Sequence, residues 1–154
     1  MPHRSRHLRC LCALTLAAAS PLVLGAGAAG TAQVTIEVTG LRSSEGVVRA
    51  CMTTDPARFP KCRGVPGAHS TVVPARESLT LTFPGVAPGR YAIALLHDEN
   101  GNGKADRALG MMPTEGFGFS RDAQVRMGPP KFEDAAFDVG PRASAQTIRM
   151  RYML

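Results

Sequence analysis

The chain has 154 residues, of which 18 are lysine or arginine and 12 are aspartate or glutamate, and its formal net charge is +6. Arg4, Arg6 and Arg9 all lie in the first nine residues, so the charge falls from +6 to +3 when these three are set aside. The other basic residues are scattered and form no stripe of the kind that binds nucleic acid. We therefore exclude a nucleic-acid partner, and the length predicts one domain with a single core.

The N-terminal segment has the order of a secretory signal peptide: a basic start, an apolar run over residues 11–24, and then small residues. The apolar run is shorter than the roughly 20 residues that a membrane-spanning helix needs. We predict a signal peptide over residues 1–28, with cleavage between 28 and 33, and a mature domain over residues 33–154. The protein is then periplasmic or extracellular, and the mature chain has no transmembrane segment.

The first half of the mature chain predicts a series of short strands. Residues 33–39 alternate apolar and polar side chains, which is the pattern of a half-buried strand. A turn at residues 40–46 precedes a second strand at residues 47–52, and we expect these two strands to form a hairpin. Further strands are expected at residues 70–73 and 78–83.

Two cysteines, Cys51 and Cys62, remain in the mature chain, because Cys10 and Cys12 lie in the predicted signal peptide. An even pair in an oxidising compartment predicts a disulfide bond. The closed loop is short, so we expect the bond to stabilise the fold by about 2–3 kcal/mol. Metal binding by the two thiols is the alternative, but no histidine lies close in sequence to complete a ligand set.

The next segment predicts a buried central strand. Two Pro-Gly turns at residues 84–85 and 88–89 precede Tyr91. A tyrosine at this place suggests a tyrosine corner, in which the hydroxyl bonds to backbone near the turn. Residues 90–96 are apolar on both faces, so we expect the strand to lie in the middle of a sheet.

The C-terminal third also predicts β structure. Three glycines and a proline in residues 109–120 argue against a helix. Residues 131–139 predict either a strand or one helical turn leading into a strand, and residues 145–154 alternate as a final strand. About seven short strands in total indicate an all-β fold. We predict a single antiparallel β-sandwich, prealbumin-like or immunoglobulin-like, with a long glycine-rich loop.

The most specific stretch is the acidic loop, residues 97–106. It places acidic and amide side chains at positions one, three, five and nine of the EF-hand calcium pattern, with Gly103 at position six. Position twelve is Leu109 where a bidentate glutamate belongs, and Glu115 is expected to supply that ligand. The predicted calcium ligands are Asp98, Asn100, Asn102, the carbonyl of Lys104, Asp106 and Glu115. We expect an affinity of roughly 10⁻⁴ M.

Each of these residues also has a simpler interpretation. Asn-Gly pairs are favoured in hairpin turns, so the loop also fits a turn that needs no ion. His97 suits an acid–base, metal or ligand-contacting role, or it ends the strand by bonding to loop backbone. Phe117 and Phe119, separated by glycine, predict either an exposed aromatic ledge for a ligand or a plug at the end of the sandwich.

Five motifs in order resemble the domain of unknown function 2141 family, which consists of small secreted bacterial proteins without an assigned activity. The resemblance covers nearly the whole mature chain and supplies no catalytic residues. Met112-Pro113 stands where the family usually has isoleucine-proline. The motifs are Gly46-Val47-Val48, Pro88-Gly89-Arg90-Tyr91-Ala92, His97-Asp98-Glu99-Asn100-Gly101-Asn102-Gly103, Glu115-Gly116-Phe117-Gly118-Phe119-Ser120 and Gly128-Pro129-Pro130-Lys131-Phe132.

The sequence contains no nucleophile elbow, phosphate loop or zinc set. We therefore predict an exported, non-catalytic module whose loop binds calcium or a partner, such as a cell-envelope protein or a glycan. The alternative is a metal-assisted hydrolase that uses His97, Asp98, Asp106 and Glu115. Hydrolysis needs an open metal position and a nearby base, and no second histidine cluster supports it.

Overall fold

The structure is a computed structural model that describes residues 30–108 and 112–154. The predicted signal peptide, residues 1–28, lies outside the described residues. The regular secondary structure of the described chain is almost entirely β-strand, with one 3₁₀ turn at Ser120–Asp122 and one short helix, α1, at Phe132–Ala135. The strands are β1 (Ala32–Thr39), β2 (Val47–Thr53), β3 (His69–Pro74), β4 (Leu79–Val86), β5 (Gly89–Asp98), β6 (Arg107–Ala108), β7 (Met112–Pro113), β8 (Gly116–Phe119), β9 (Phe137–Val139) and β10 (Ser144–Arg149).

The strands form two sheets that face each other. The first sheet has the order β10-β1-β4, and the second has the order β3-β2-β5. Strands β8 and β9 both pair with the remaining edge of β5, at its C-terminal and N-terminal halves. The predicted all-β sandwich is confirmed. Its pairs are antiparallel except β1 with β10, which is parallel, and β6 and β7 form a small separate ladder.

The main core lies between the two sheets. From the first sheet it receives the apolar face that the alternation in β1 predicts, Val34, Ile36 and Val38. From the second it receives the inward residues of β2 and β5, such as Met52 and Ile93, which are fully buried. The period of two along each strand therefore decides which side chains enter this core.

The predicted hairpin between the first two strands is wrong. Strand β1 lies in the first sheet and β2 in the second, so the turn at residues 40–46 crosses from one sheet to the other. Both strands have one apolar face, and they bury these faces by opposing each other across the core instead of sharing hydrogen bonds. Gly46 makes the crossing possible, because it has φ +65° and a Cβ there would lie 2.1 Å from the carbonyl oxygen of Asp98.

Strand β5 has the central position that its sequence predicts. Its odd-numbered residues from Tyr91 to Leu95 enter the main core. The Tyr91 hydroxyl donates a hydrogen bond of 3.0 Å to the carbonyl of Ala87, as expected for a tyrosine corner. Ala92, on the opposite face, belongs to a second apolar cluster with Phe119 and Phe132.

The irregular segments of the chain pack together in this second cluster. Phe59, from the loop after β2, packs edge-on against Phe119 and Phe132. Helix α1 supplies Phe132 and leads directly into β9, so of the two alternatives for residues 131–139 the structure has the helical turn followed by a strand. The predicted disulfide also holds this region, because Cys51 in β2 is bonded to Cys62 with a Cα–Cα distance of 5.7 Å. Within the described ranges, none of the helices has the length and apolar character that crossing a bilayer requires.

Candidate functional site

The acidic loop begins where β5 ends, and the strand directs His97 and Asp98 to opposite faces. His97 follows the inward side, is fully buried, and contacts Tyr152 through Nδ1 at 2.7 Å. Its Nε2 lies 2.9 Å from the carbonyl oxygen of Glu45. A carbonyl can only accept, so Nε2 carries a proton, and in the neutral ring Nδ1 then accepts from the Tyr152 hydroxyl. His97 therefore secures the end of β5, and neither ring nitrogen is directed at Asp98.

The Asp98 carboxylate is fully buried and accepts hydrogen bonds from the backbone of the loop. Its Oδ1 accepts a hydrogen bond of 3.0 Å from the backbone of Asn102, and its Oδ2 accepts one of 2.9 Å from Gly103. The Arg49 Nε also donates to Oδ2, at 2.5 Å. Burial by itself would raise the pKa of Asp98, but Arg49 and the two backbone N–H groups hold this pKa below its usual value.

The exposed side of the loop is held by its amides. Asn100 Oδ1 accepts from the backbone of Asn102 at 3.0 Å, and Asn102 Oδ1 accepts from Lys104 at 2.7 Å. Both side-chain amide nitrogens donate to the same oxygen of Asp106, each at 2.7 Å. The residues at positions one, three, five and nine thus converge. The same hydrogen bonds would also stabilise a turn without an ion.

Glu115, the residue immediately before β8, also lies beside this group. In the β5–β8 ladder Leu96 pairs with Phe117 and His97 with Gly116, so the next residue, Glu115, lies beside Asp98. The residue is only 4% exposed. One carboxylate oxygen, Oε2, accepts from the backbone of Asp106 at 3.1 Å. The other, Oε1, is buried and has no hydrogen-bond partner among the described residues.

The surroundings of Glu115 disfavour its charge. Burial raises the pKa of its carboxyl above the usual value, and the negative charges of Asp98 and Asp106 raise it further. The backbone N–H groups of Asp106 and Glu99 lower the pKa of Glu115 and offset only part of this effect. Within residues 30–108 and 112–154, no group of three or more His, Cys, Asp or Glu side chains could hold a metal ion by itself. Any cation here would need the amide and carbonyl oxygens of the loop as well.

Two arginines that the sequence does not single out support the loop. Arg42 forms hydrogen bonds to both carboxylate oxygens of Glu99, and another of 2.9 Å to the carbonyl of Thr114. Its guanidinium also lies 4.5 Å from the centre of the Tyr152 ring. These partners are distant in sequence, so no local signal identifies Arg42. The hydrogen bonds from Arg42 and Ser43 hold the pKa of Glu99 below its usual value.

Arg63 is the other arginine that the sequence does not single out; with Arg42 and Arg49 it makes three arginines that contact the loop. Its Nη2 donates a hydrogen bond of 2.9 Å to the carbonyl of Gly103. Because it follows Cys62, the disulfide bond helps to place it. Arg49, by contrast, had a local signal: it is a charged residue between Val48 and Ala50, which both face the core. The alternation of side chains along β2 places Arg49 on the outer face of the sheet, but it does not show that Arg49 pairs with Asp98.

Phe117 and Phe119 alternate with glycines for a steric reason. A Cβ on Gly116 would lie 2.4 Å from the Tyr152 ring, and one on Gly118 would lie 2.8 Å from Ile148. The glycines therefore face the C-terminal segment, and both phenylalanines face the opposite way. Phe119 is buried in the second cluster, and Phe117 is half-buried against it. Of the two alternatives, this arrangement fits packing better than an exposed ledge.

The family profile described as "Uncharacterized protein conserved in bacteria (DUF2141)" matches residues 36–147. The chain belongs to this family. The DUF2141 match begins within β1, ends within β10, and includes the acidic loop together with Arg42, Arg49 and Glu115. Searches of curated proteins and of solved structures found no match for this DUF2141 chain.

Proposed function

We propose that this DUF2141 chain is an exported, non-catalytic β-sandwich module whose acidic loop binds calcium. Calcium takes six to eight oxygen ligands and accepts carboxylates, amides and backbone carbonyls in flexible geometry. The loop offers these three classes of oxygen around one turn. The proposed ligands are Asp98, Asn100, Asn102, the carbonyl of Lys104, Asp106 and Glu115.

The observation that carries the proposal is the unpartnered Oε1 of Glu115. A buried carboxylate oxygen without a hydrogen bond is costly, and here two further acids, Asp98 and Asp106, lie close enough to raise the pKa of Glu115. A cation at this point would supply the missing partner and cancel the repulsion. Closing the turn uses Oε2, which accepts from the backbone of Asp106, but it leaves the buried Oε1 without a role.

The amides of the loop can adapt to such an ion. The side-chain nitrogens of Asn100 and Asn102 both lie 2.7 Å from Asp106 Oδ2. Rotation of an amide about its Cβ–Cγ bond exchanges nitrogen for oxygen, so each side chain can turn an acceptor towards a cation. Both side chains are exposed. The exposed side of the loop would therefore face a partner, either a cell-envelope protein or a glycan.

The geometry favours binding over metal-assisted hydrolysis. The hydrolase alternative needs a base near the metal, and His97 is its natural candidate. Both nitrogens of His97 are engaged by Tyr152 and Glu45 on the inner face of the sheet. Asp98 already accepts three hydrogen bonds, one of them from Arg49. Export is supported by the basic, apolar and small-residue order of the N-terminus and by the Cys51–Cys62 bond.

The test is a calcium titration of the purified protein by calorimetry, together with thermal unfolding in calcium and in chelator. We expect binding near 10⁻⁴ M and a higher Tm in millimolar calcium. Glu115→Gln should abolish both effects. Glu133→Gln is the matched control, because Glu133 is exposed and pairs with Arg90, away from the loop. No heat of binding and an unchanged Tm in the parent protein would refute the calcium site.

A further inference from the structure

Arg49 packs against the acidic loop from the neighbouring strand β2. It lies on β2 opposite Leu96 of β5, and its Nε donates to Asp98 Oδ2 at 2.5 Å. The Arg49 side chain is 21% exposed, whereas that of Asp98 is fully buried. The guanidinium also reaches the middle of the turn, because its Nη2 lies 3.9 Å from the point where a Cβ on Gly103 would stand. Arg49 therefore contacts the loop at its start and lies close to its sharpest bend.

The charges of this group nearly balance a divalent cation. Asp98, Asp106 and Glu115 contribute three negative charges when ionised, and Arg49, which pairs directly with Asp98, contributes one positive charge, which leaves two negative charges. Arg63, on the Gly103 carbonyl, is exposed, so solvent and salt screen its charge and it is not counted. Asp98 is the carboxylate that Arg49 neutralises. Its Oδ2 is occupied by Arg49 and Gly103, whereas Oδ1 accepts only from Asn102. Oδ1 is thus the oxygen better placed to face a cation.

We propose that Arg49 is the internal counter-ion of the calcium site, a positioning residue that keeps the loop folded without calcium and weakens calcium binding. This inference rests on the proposed function. The guanidinium holds Asp98 in its buried position when no calcium is bound. When calcium binds, the two cations share one carboxylate, and their repulsion lowers the affinity.

Opposite effects on stability and affinity follow from these two roles. Loss of Arg49 leaves the Asp98 carboxylate buried beside two other acids, which destabilises the calcium-free protein. The same loss raises the negative charge of the site from two to three, so calcium binds more tightly. Calcium would then replace the missing guanidinium, and the variant would regain stability in calcium that it lacks in chelator.

The experiment compares Arg49→Met with the parent protein by calcium calorimetry and by thermal unfolding. In chelator we expect Tm to fall by about 10 °C or more. In calcium we expect most of this loss to be recovered, and Kd to tighten by about tenfold. Arg90→Met is the matched control, since Arg90 is exposed on β5 and pairs with exposed Glu133 and Asp138. It should change neither Kd nor the calcium-dependent rise in Tm.

Three results separate the inference from the proposed function. If the parent binds calcium and Arg49→Met has an equal or weaker affinity, the counter-ion role is overturned and the calcium site stands. If the parent does not bind calcium, both fail. If Arg49→Met does not fold in either condition, Arg49→Gln replaces it, because glutamine keeps a hydrogen-bond donor without the charge. A parent-like Kd in Arg49→Gln would also overturn the inference.

Discussion

The Tyr152 hydroxyl donates a hydrogen bond of 2.7 Å to Nδ1 of His97 and so connects the C-terminal segment to the end of β5. We expect Tyr152→Phe to lower the free energy of unfolding by about 1–3 kcal/mol, because it leaves a buried ring nitrogen without a partner. Urea unfolding at fixed calcium measures this loss. The calcium Kd should stay unchanged, since His97 is not a ligand. A large change in Kd would contradict the conclusion that His97 and the calcium ligands lie on opposite faces of β5.

The raised pKa of Glu115 predicts how the calcium-free protein responds to pH. A carboxyl whose pKa is higher in the folded than in the unfolded state, here above the ordinary 4.5, stabilises the fold fully below that ordinary value. This contribution is lost as the pH rises through the folded pKa. In chelator, Glu115→Gln should therefore be more stable than the parent at neutral pH, and less dependent on pH above about 4.5.

Urea unfolding in chelator at a series of pH values measures this difference. Calcium should reverse the order of the two proteins, because only the parent gains stability from the ion. If Glu115→Gln is less stable than the parent in chelator at neutral pH, the Glu115 carboxylate is well accommodated without a cation.

Gly46 permits the close approach of the crossing turn to the loop. A Cβ at this residue would lie 2.1 Å from the Asp98 carbonyl oxygen, and its φ of +65° disfavours other residues. We expect Gly46→Ala to destabilise the fold by more than about 2 kcal/mol. Gly85→Ala is the control, because Gly85 has φ +66° but nothing within 4 Å of its Cβ position. Equal losses in urea unfolding would show that backbone strain alone matters at Gly46.

The Cys51–Cys62 bond joins β2 to the loop that carries Arg63. Reduction should lower the free energy of unfolding by about 2–3 kcal/mol, because the unfolded chain gains conformational freedom. Thermal unfolding with and without reductant, with thiols counted, measures the loss. An unchanged Tm with two free thiols would contradict this expectation.

Arg63→Met should lower the calcium affinity modestly, since Arg63 holds the Gly103 carbonyl at 2.9 Å.

Local patterns predicted much of this fold. The alternation of β1 and the apolar faces of β5 gave the correct strands and the correct inward residues, because side-chain direction in a strand depends only on its own residues. The tyrosine corner at Tyr91 and the turn at residues 98–106 are local for the same reason, since each is closed by contacts between near neighbours in the chain. These features could be read before any sheet was known.

The pairing of strands and the composition of the site depend on contacts that no local pattern contains. Strands β1 and β2 entered different sheets because opposing apolar faces bury more surface than a two-stranded hairpin. The same packing placed Glu115 beside Asp98 and directed Arg49 into the loop. The sequence by itself determined the strands, their faces and the acidic turn, which are set by neighbouring residues. Only the tertiary structure decided which distant charges meet there, because this depends on how the two sheets close around one core.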